Sequence, residues 1–418
     1  MPDLNLTHYT LCQLLSRQAC PELSRRADVA LTSTLGPDDW RLLATTARRE
    51  GVAPLLYHTL KEAEMLALAP SDVQADLRQA YYTTTARNLL LYRELSRILT
   101  ALSASPQYPI SNLQSPTSNL QPPTSNPRPP IPVILLKGVA LATTVYDSIG
   151  LRPMGDIDLL IKPPDLPRAQ EMLIALGYAF YPDRARDFDR SFGRAKTFTR
   201  QTPYAMSIDL HWRLLEWPRG QQATLLTKWL WDSAVERRVA DVPTLVLSPE
   251  GQVLHLTTHL AKHGWGRLLW FYDIAQVLRC YEDELDWNLI IAQAREFEIL
   301  KALQVTLAKT VELLAPPLPP GVLERLGSAK VGLRENAAFA LLTGRDKHAA
   351  ILLNVISKDS LLRKARFLAT VAFPSAEYMI ERYQLSDRRK LPLYYAYRLA
   401  SWFYFLLRSL LSVLLRGR

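Results

Sequence analysis

Asp156 and Asp158 stand two residues apart in the run Arg152-Pro153-Met154-Gly155-Asp156-Ile157-Asp158-Leu159-Leu160-Ile161. If Ile157 to Ile161 is a strand, the two carboxylates share one face while Ile157 and Leu159 enter the core. Carboxylates so placed repel each other, and a shared divalent cation relieves the repulsion; hard oxygen ligands suit Mg2+ or Mn2+. A third carboxylate lies in Ser207-Ile208-Asp209-Leu210-His211-Trp212. There Asp209 and His211 share one face of a strand, and Ile208 and Leu210 the other. Three carboxylates on neighbouring strands are what a two-metal phosphoryl-transfer site requires. Taken alone, an Asp-x-Asp pair is a weak signal, and solvent-facing positions of an edge strand are the better reading of it.

Leu136-Lys137-Gly138, upstream, shifts the balance toward chemistry. A glycine that ends a strand and opens a helix lets backbone N–H groups approach a phosphate. Further on, His255, His259 and His263 recur every fourth residue and fall on one helical face. A histidine pair at that spacing can bind zinc, but no further Cys, Asp or Glu ligand is evident beside it. The face reads first as polar or interface-packed, and second as a wall over a nucleotide cleft. His211 has the same two readings, lining the site beside Asp209 or capping its strand. Tryptophans crowd the stretch from Trp212 to Trp270. Base stacking is one use for them, and packing between sheet and helices is the commoner one.

Lys137-Gly138, Arg152, Gly155-Asp156-Ile157-Asp158 and Ile208-Asp209-Leu210-His211-Trp212 together resemble the uncharacterised bacterial nucleotidyltransferase family of the DNA polymerase β superfamily. Asp39-Trp40, Gly51-Val52-Ala53-Pro54-Leu55-Leu56-Tyr57, Lys262-His263-Gly264-Trp265 and Phe373-Pro374-Ser375 resemble that family's flanking helical segments, so the resemblance spans nearly the whole chain. It implies an NTP substrate, Mg2+ or Mn2+, and transfer of NMP to a hydroxyl on a small molecule, an RNA or a protein. It implies that Asp156 and Asp158 bind both metals and that Asp209 completes one metal site and assists deprotonation of the acceptor. Gly138 would lie against the nucleotide phosphates. Lys137 and Arg152 follow as triphosphate partners from their charge and their place beside the motif. His211, His259 and His263 are cleft-lining candidates. At the turn, Val139 follows Gly138 where the superfamily usually has Gly-Ser or Gly-Gly, and the gap from Gly138 to Asp156 is longer than usual. These departures motivate a second reading, a catalytically decayed nucleotidyltransferase fold serving as a binding or regulatory module.

The elements that must position these residues follow from periodicity. Val133 to Leu136, Ile157 to Ile161, Lys196 to Arg200 and Ala205 to Trp212 fit strands. Val139 to Tyr146 and Asp165 to Leu176 fit helices, the second closed by Gly177. The expected fold is α+β, a small mixed sheet flanked by helical regions. The divisions are an N-terminal helical region over 1–103, a linker over 104–132, a nucleotidyltransferase core over 133–220 and a C-terminal helical region over 221–418. The linker holds a seven-residue repeat, Ser111-Asn112-Leu113-Gln114-Ser115-Pro116-Thr117 and its two successors. It is too polar to pack and reads as a solvated insertion. Leu254 to Leu278, Trp287 to Phe297 and Lys301 to Leu314 have helical spacing.

The 418 residues carry 50 Lys+Arg against 40 Asp+Glu, a net charge of +10. Eight basic residues and two acids fall in the last 38 positions, so the excess belongs mainly to a tail and does not support a chain-wide nucleic-acid footprint. From Leu399 to Leu415 this tail is amphipathic, with Arg398, Ser401, Arg408, Ser412 and Arg416 on one stripe. It is short and interrupted for a membrane span. It fits a helix buried on the body or, as a third reading, one lying on an anionic membrane surface. Three cysteines give no disulfide framework, and residues 1–10 show no secretory signal, so a cytoplasmic location is the default expectation.

Overall fold

Strands β1 (Ile134–Leu136) and β2 (Ile157–Leu160) are apolar except for Asp158 and buried along their whole length. Runs without alternation mark strands covered on both faces. The computed structural model describes residues 6–16, 32, 34–103, 129–180, 194–201, 205–214, 221–343, 360–401 and 404. The remaining strands are β3 (Ala179–Phe180), β4 (Ala195–Arg200), β5 (Met206–His211), β6 (Val235–Val239) and β7 (Val242–Val246). All seven form one mixed sheet, ordered β3-β4-β5-β2-β1-β7-β6, with β2 in the middle. β2 runs antiparallel to β1 and parallel to β5, and β1 runs parallel to β7. The fold is α+β with helical flanks, as expected.

The four strands expected from periodicity all form, within one or two residues of the expected ends. One expectation is corrected. The region from 221 onward is not wholly helical, because β6 and β7 complete the sheet beside β1 and extend the core to Val246. They are joined by a two-residue turn in which Ala240 and Asp241 both have positive φ, 51° and 63°. That geometry matches the twist of the strands and normally selects Asn-Gly. Ala-Asp carries no such signal.

Among the described residues, helices pack around this sheet in two large apolar clusters. One gathers α1 (Leu6–Ser16), α2 (Pro37–Glu50), α3 (Ala53–Glu62) and a C-terminal set from Leu247 onward. Gly51, at φ 77°, caps α2 in the left-handed conformation. The other cluster holds the sheet with α5 (Lys137–Thr144) and α6 (Leu166–Ala175). The 33-residue α4 (Ser71–Ser103) bridges them, giving Val73 and Leu77 to the first and Leu95, Ile98 and Leu102 to the second. After α7 (Gln221–Asp232) and the β6–β7 hairpin come α8 (Pro249–Lys262) and α9 (Leu268–Cys280). Leu254 to Leu278 is therefore not one helix. Gly264 and Trp265, with φ 63° and 56°, break it and fold α9 back against α8. α10 (Trp287–Glu296), α11 (Leu300–Leu314), α12 (Val322–Ser328) and α13 (Leu333–Thr343) follow.

Residues 104–128 of the expected linker and most of the amphipathic tail lie outside the described residues. Among the described residues no helix is long and apolar enough to cross a membrane.

Candidate functional site

Strand register places the acidic residues. Asp158 on β2 is the Cα partner of Asp209 on β5, and Asp209 is in turn the partner of Thr197 on β4. Side chains in register on adjacent strands are neighbours on one face, so one row runs Asp158, Asp209, Thr197. Ile208 and Leu210 are buried on the opposite face, in the sheet core. His211, two residues beyond Asp209, returns to the acidic face and brings Nε2 to 2.8 Å from Asp158 Oδ1. Thr197 Oγ1 donates to Asp209 Oδ1 at 2.6 Å.

The turn after β1 supplies a cation to the same row. Lys137 is left-handed at φ 48°, uncommon for a lysine, and its Nζ lies 2.6 Å from Asp158 Oδ1. Asp158 is only 3% exposed. Burial opposes its ionisation, but the His211 hydrogen bond and the Lys137 ammonium outweigh it and hold the carboxyl well below the usual range. Asp156 lies just before β2. Burial and then the charge of Asp158 raise its carboxyl above the ordinary value, Asp209 adds to the rise, and Lys137 opposes it.

Asp158, Asp209 and His211 bring one ligand atom each to within 4.8 Å of one another, and among the described residues no other group of three His, Cys, Asp or Glu does so. The residues present fit a divalent cation. Two carboxylate oxygens and one imidazole nitrogen are ordinary ligands of such an ion, and the carboxylate at the centre already holds a positive group, Lys137. Asp156 is electrostatically coupled to this trio but is not part of it. His255, His259 and His263 do not form a second metal group.

Gly138 and Arg152 sit differently from the expectation. Gly138 is buried, and a Cβ there would lie 2.5 Å from Arg152 Nη1 and 2.9 Å from Met154 Cγ. Glycine is thus required by the close approach of the segment leading into β2. Arg152 is committed to α9. Its Nε and Nη2 donate to the two oxygens of Asp273 at 2.7 Å each, and Tyr146 donates to Asp273 Oδ1 at 2.7 Å. The guanidinium lies beneath the turn and braces it.

A cleft of about 370 Å³ opens over the acidic row, floored by Asp209, His211 and Thr197 and roofed by α8 through His255, His259 and His263. The His259 and His263 rings lie 4.6 Å apart between centroids, tilted by 53°, and both lie against the Trp270 ring. Arg194 and Lys262 also line the cleft, so its positive charge exceeds its negative. Among the tryptophans, Trp212 is fully buried in the sheet core, where packing is its use, while Trp217 lies outside the described residues. Thr197, Arg194 and Thr258 were not singled out from sequence. Only Thr197 had a usable signal, its alternation with buried Lys196 and Phe198 on a strand that must pair with Asp209.

A family model described as uncharacterised nucleotidyltransferase matches residues 36–110 and 128–315, more than half of the chain. The chain belongs to that family. The match passes over 111–127, the stretch of the proline-rich repeat, and includes β1 through α11, all the elements that carry the acidic row and most of the cleft roof. No curated protein matches the chain.

Proposed function

We propose that the protein transfers NMP from an NTP to a hydroxyl acceptor, using a divalent cation held by Asp158, Asp209 and His211, with Asp156 at its edge. The observation that carries this reading is the register pairing of Asp158 with Asp209 beneath a cationic cleft. Mg2+ or Mn2+ bound there would supply charge stabilisation to the transferring phosphoryl group and lower the pKa of the attacking hydroxyl.

The chain's own residues do the rest. Asp209, half-buried and open to the cleft, accepts the proton of the acceptor hydroxyl while Thr197 fixes the orientation of its carboxylate. The hydroxyl oxygen forms the new bond to the α-phosphorus, and the bond from that phosphorus to the bridging oxygen breaks, releasing pyrophosphate. Lys137, Arg194 and Lys262 bind the triphosphate and balance the charge that moves to the leaving group. Arg152 acts as a positioning residue, bracing the turn at Lys137-Gly138 from beneath. His259 and His263 form the wall that excludes water.

Mn2+ titration followed by electron paramagnetic resonance tests the metal assignment. Binding by the parent protein that is lost in Asp158→Ala and Asp209→Ala is the expected result. Equal binding in all three would overturn it. The binding-module reading predicts NTP and metal binding without NMP transfer to any acceptor in a cell extract, and the burial of Gly138 under Arg152 and Met154 is the observation in its favour.

A further inference from the structure

His255 sits on α8 in the wall of the cleft that also contains Lys137, Asp209 and His211. It is 6% exposed, and neither Nδ1 nor Nε2 has a hydrogen-bond partner. A buried donor and acceptor left unpaired carry their full desolvation cost. Its immediate chain neighbours Leu254 and Leu256 are buried leucines, and of the other buried polar side chains on α8, Gln252 donates to the Leu247 carbonyl and Thr258 to the His255 carbonyl, whereas the His255 ring nitrogens have no such bond. Burial, with the nearby Lys137 charge, pushes the imidazole down to about 3, so the ring is neutral at physiological pH. A neutral imidazole offers one donor and one acceptor. That matches a hydroxyl, which both gives and takes a hydrogen bond, and does not match a phosphate, whose charge calls for cations such as Lys137, Arg194 and Lys262 in the same cleft.

Position narrows the choice of hydroxyl. His255 lines the same cleft as Lys137, Asp209 and His211, which places it at the acidic row. A nucleotide with its α-phosphorus at that row carries its sugar immediately beside it and its base farther away. A cleft of about 370 Å³ is within the ordinary range for such a ligand. We propose that His255 hydrogen-bonds a ribose hydroxyl of the bound nucleoside triphosphate and thereby selects ribonucleotides over deoxyribonucleotides. This assignment rests on the nucleotidyltransferase reading above.

Calorimetric titration of the full chain with each Mg2+-NTP, and with the 2′-deoxy and 3′-deoxy counterparts of the tightest binder, tests it without an acceptor present. The wild type should prefer the ribonucleotide over one of the two deoxy forms by about three- to tenfold, the worth of one net hydrogen bond. His255→Leu should lose that preference while keeping the affinity for the deoxy form. His255→Gln, which keeps a donor and an acceptor, should retain part of it. The melting temperature of ligand-free His255→Leu should equal or exceed that of the wild type, because an unpartnered polar group is replaced by an apolar one of similar size. A preference that persists in His255→Leu, a wild type with no sugar preference, or a variant that binds both sugars normally and fails only in transfer would each overturn the sugar assignment. A His255→Leu chain that cannot fold would also overturn it, since the ring would then be held by structural need. Absence of any NTP binding by the wild type would overturn the nucleotidyltransferase reading as well, whereas binding without sugar preference overturns this one alone.

Discussion

Lys137 places its ammonium 2.6 Å from Asp158 Oδ1, at the centre of the acidic row. Asp158 comes from the middle strand of the sheet, and Lys137 from the left-handed first residue of the helix that follows β1. The pair keeps a buried carboxylate ionised. It also means that any cation bound by Asp158 must compete with a lysine.

Lys137→Met removes that competitor. Mn2+ affinity in the absence of nucleotide should rise by roughly ten- to a hundredfold, since a charge-assisted hydrogen bond of about 1.5–3 kcal/mol no longer has to be given up. The same variant should lose roughly 10²-fold in kcat/KM for NTP, as expected for removing one preorganised donor from the phosphates. Metal titration and steady-state kinetics on one preparation check both signs.

Two carboxylates two residues apart should affect stability in opposite directions. The Asp158 carboxyl is lowered by its partners, so its contribution is present above the unfolded value near 3.8 and is lost as pH falls below it. Asp158→Asn should therefore destabilise the metal-free protein at pH 7, by roughly 3 kcal/mol for breaking a buried charge pair. The Asp156 carboxyl is raised by burial and by Asp158. Its charge costs stability above the folded value, and the cost disappears as pH falls below about 3.8. Asp156→Asn should raise the metal-free melting temperature at pH 7 and reduce the further rise produced by Mg2+. Calorimetric scans with and without Mg2+ check the pair.

Arg152 and Asp273 form a buried two-bond ion pair between the segment leading into β2 and α9. Asp273→Asn leaves the guanidinium uncompensated and should cost about 3–5 kcal/mol, read from urea unfolding. Arg152→Met combined with Asp273→Leu should recover most of the loss in stability, but NTP affinity should stay reduced because the turn at Gly138 loses its brace.

His255 gives stability a distinct pH dependence. Its folded value is about 3 against 6.5 unfolded, so the unfolded chain binds more protons below pH 6.5. Stability from this group is complete above 6.5 and declines toward pH 3 by about 1.4 kcal/mol per pH unit. Between pH 6 and pH 4, His255→Leu should lose stability with a slope smaller by one proton than the wild type, measured by denaturant unfolding at each pH.

Much of the acidic row was legible because it rests on strand alternation. Ile157, Leu159, Ile208 and Leu210 announce two buried strands, whose alternation puts Asp156 with Asp158 on one face and Asp209 with His211 on one face; that Asp158, Asp209 and His211 meet, with Asp156 outside the group, comes only from the structure. Three features escaped. The parallel register that pairs Asp158 with Asp209 is a long-range property with no local signal. Arg152 looks like a phosphate ligand until Asp273, 121 residues later, is seen to hold it. The β6–β7 hairpin hides its turn in Ala240-Asp241, and Arg237-Arg238 interrupts the alternation of β6. The four-residue spacing of His255, His259 and His263 did reveal a shared face, but what that face covers depends on the break at Gly264-Trp265 and the return of α9.

The most direct measurement incubates the full chain with each α-phosphate-labelled NTP and a cell extract in Mg2+, beside Asp158→Ala, Asp209→Ala and a chelator control. Mg2+-dependent transfer of label to one molecular class, lost in both variants and with chelator, is the predicted result. Transfer by either variant at the wild-type rate would contradict an acidic row that holds the metal and carries out nucleotidyl transfer.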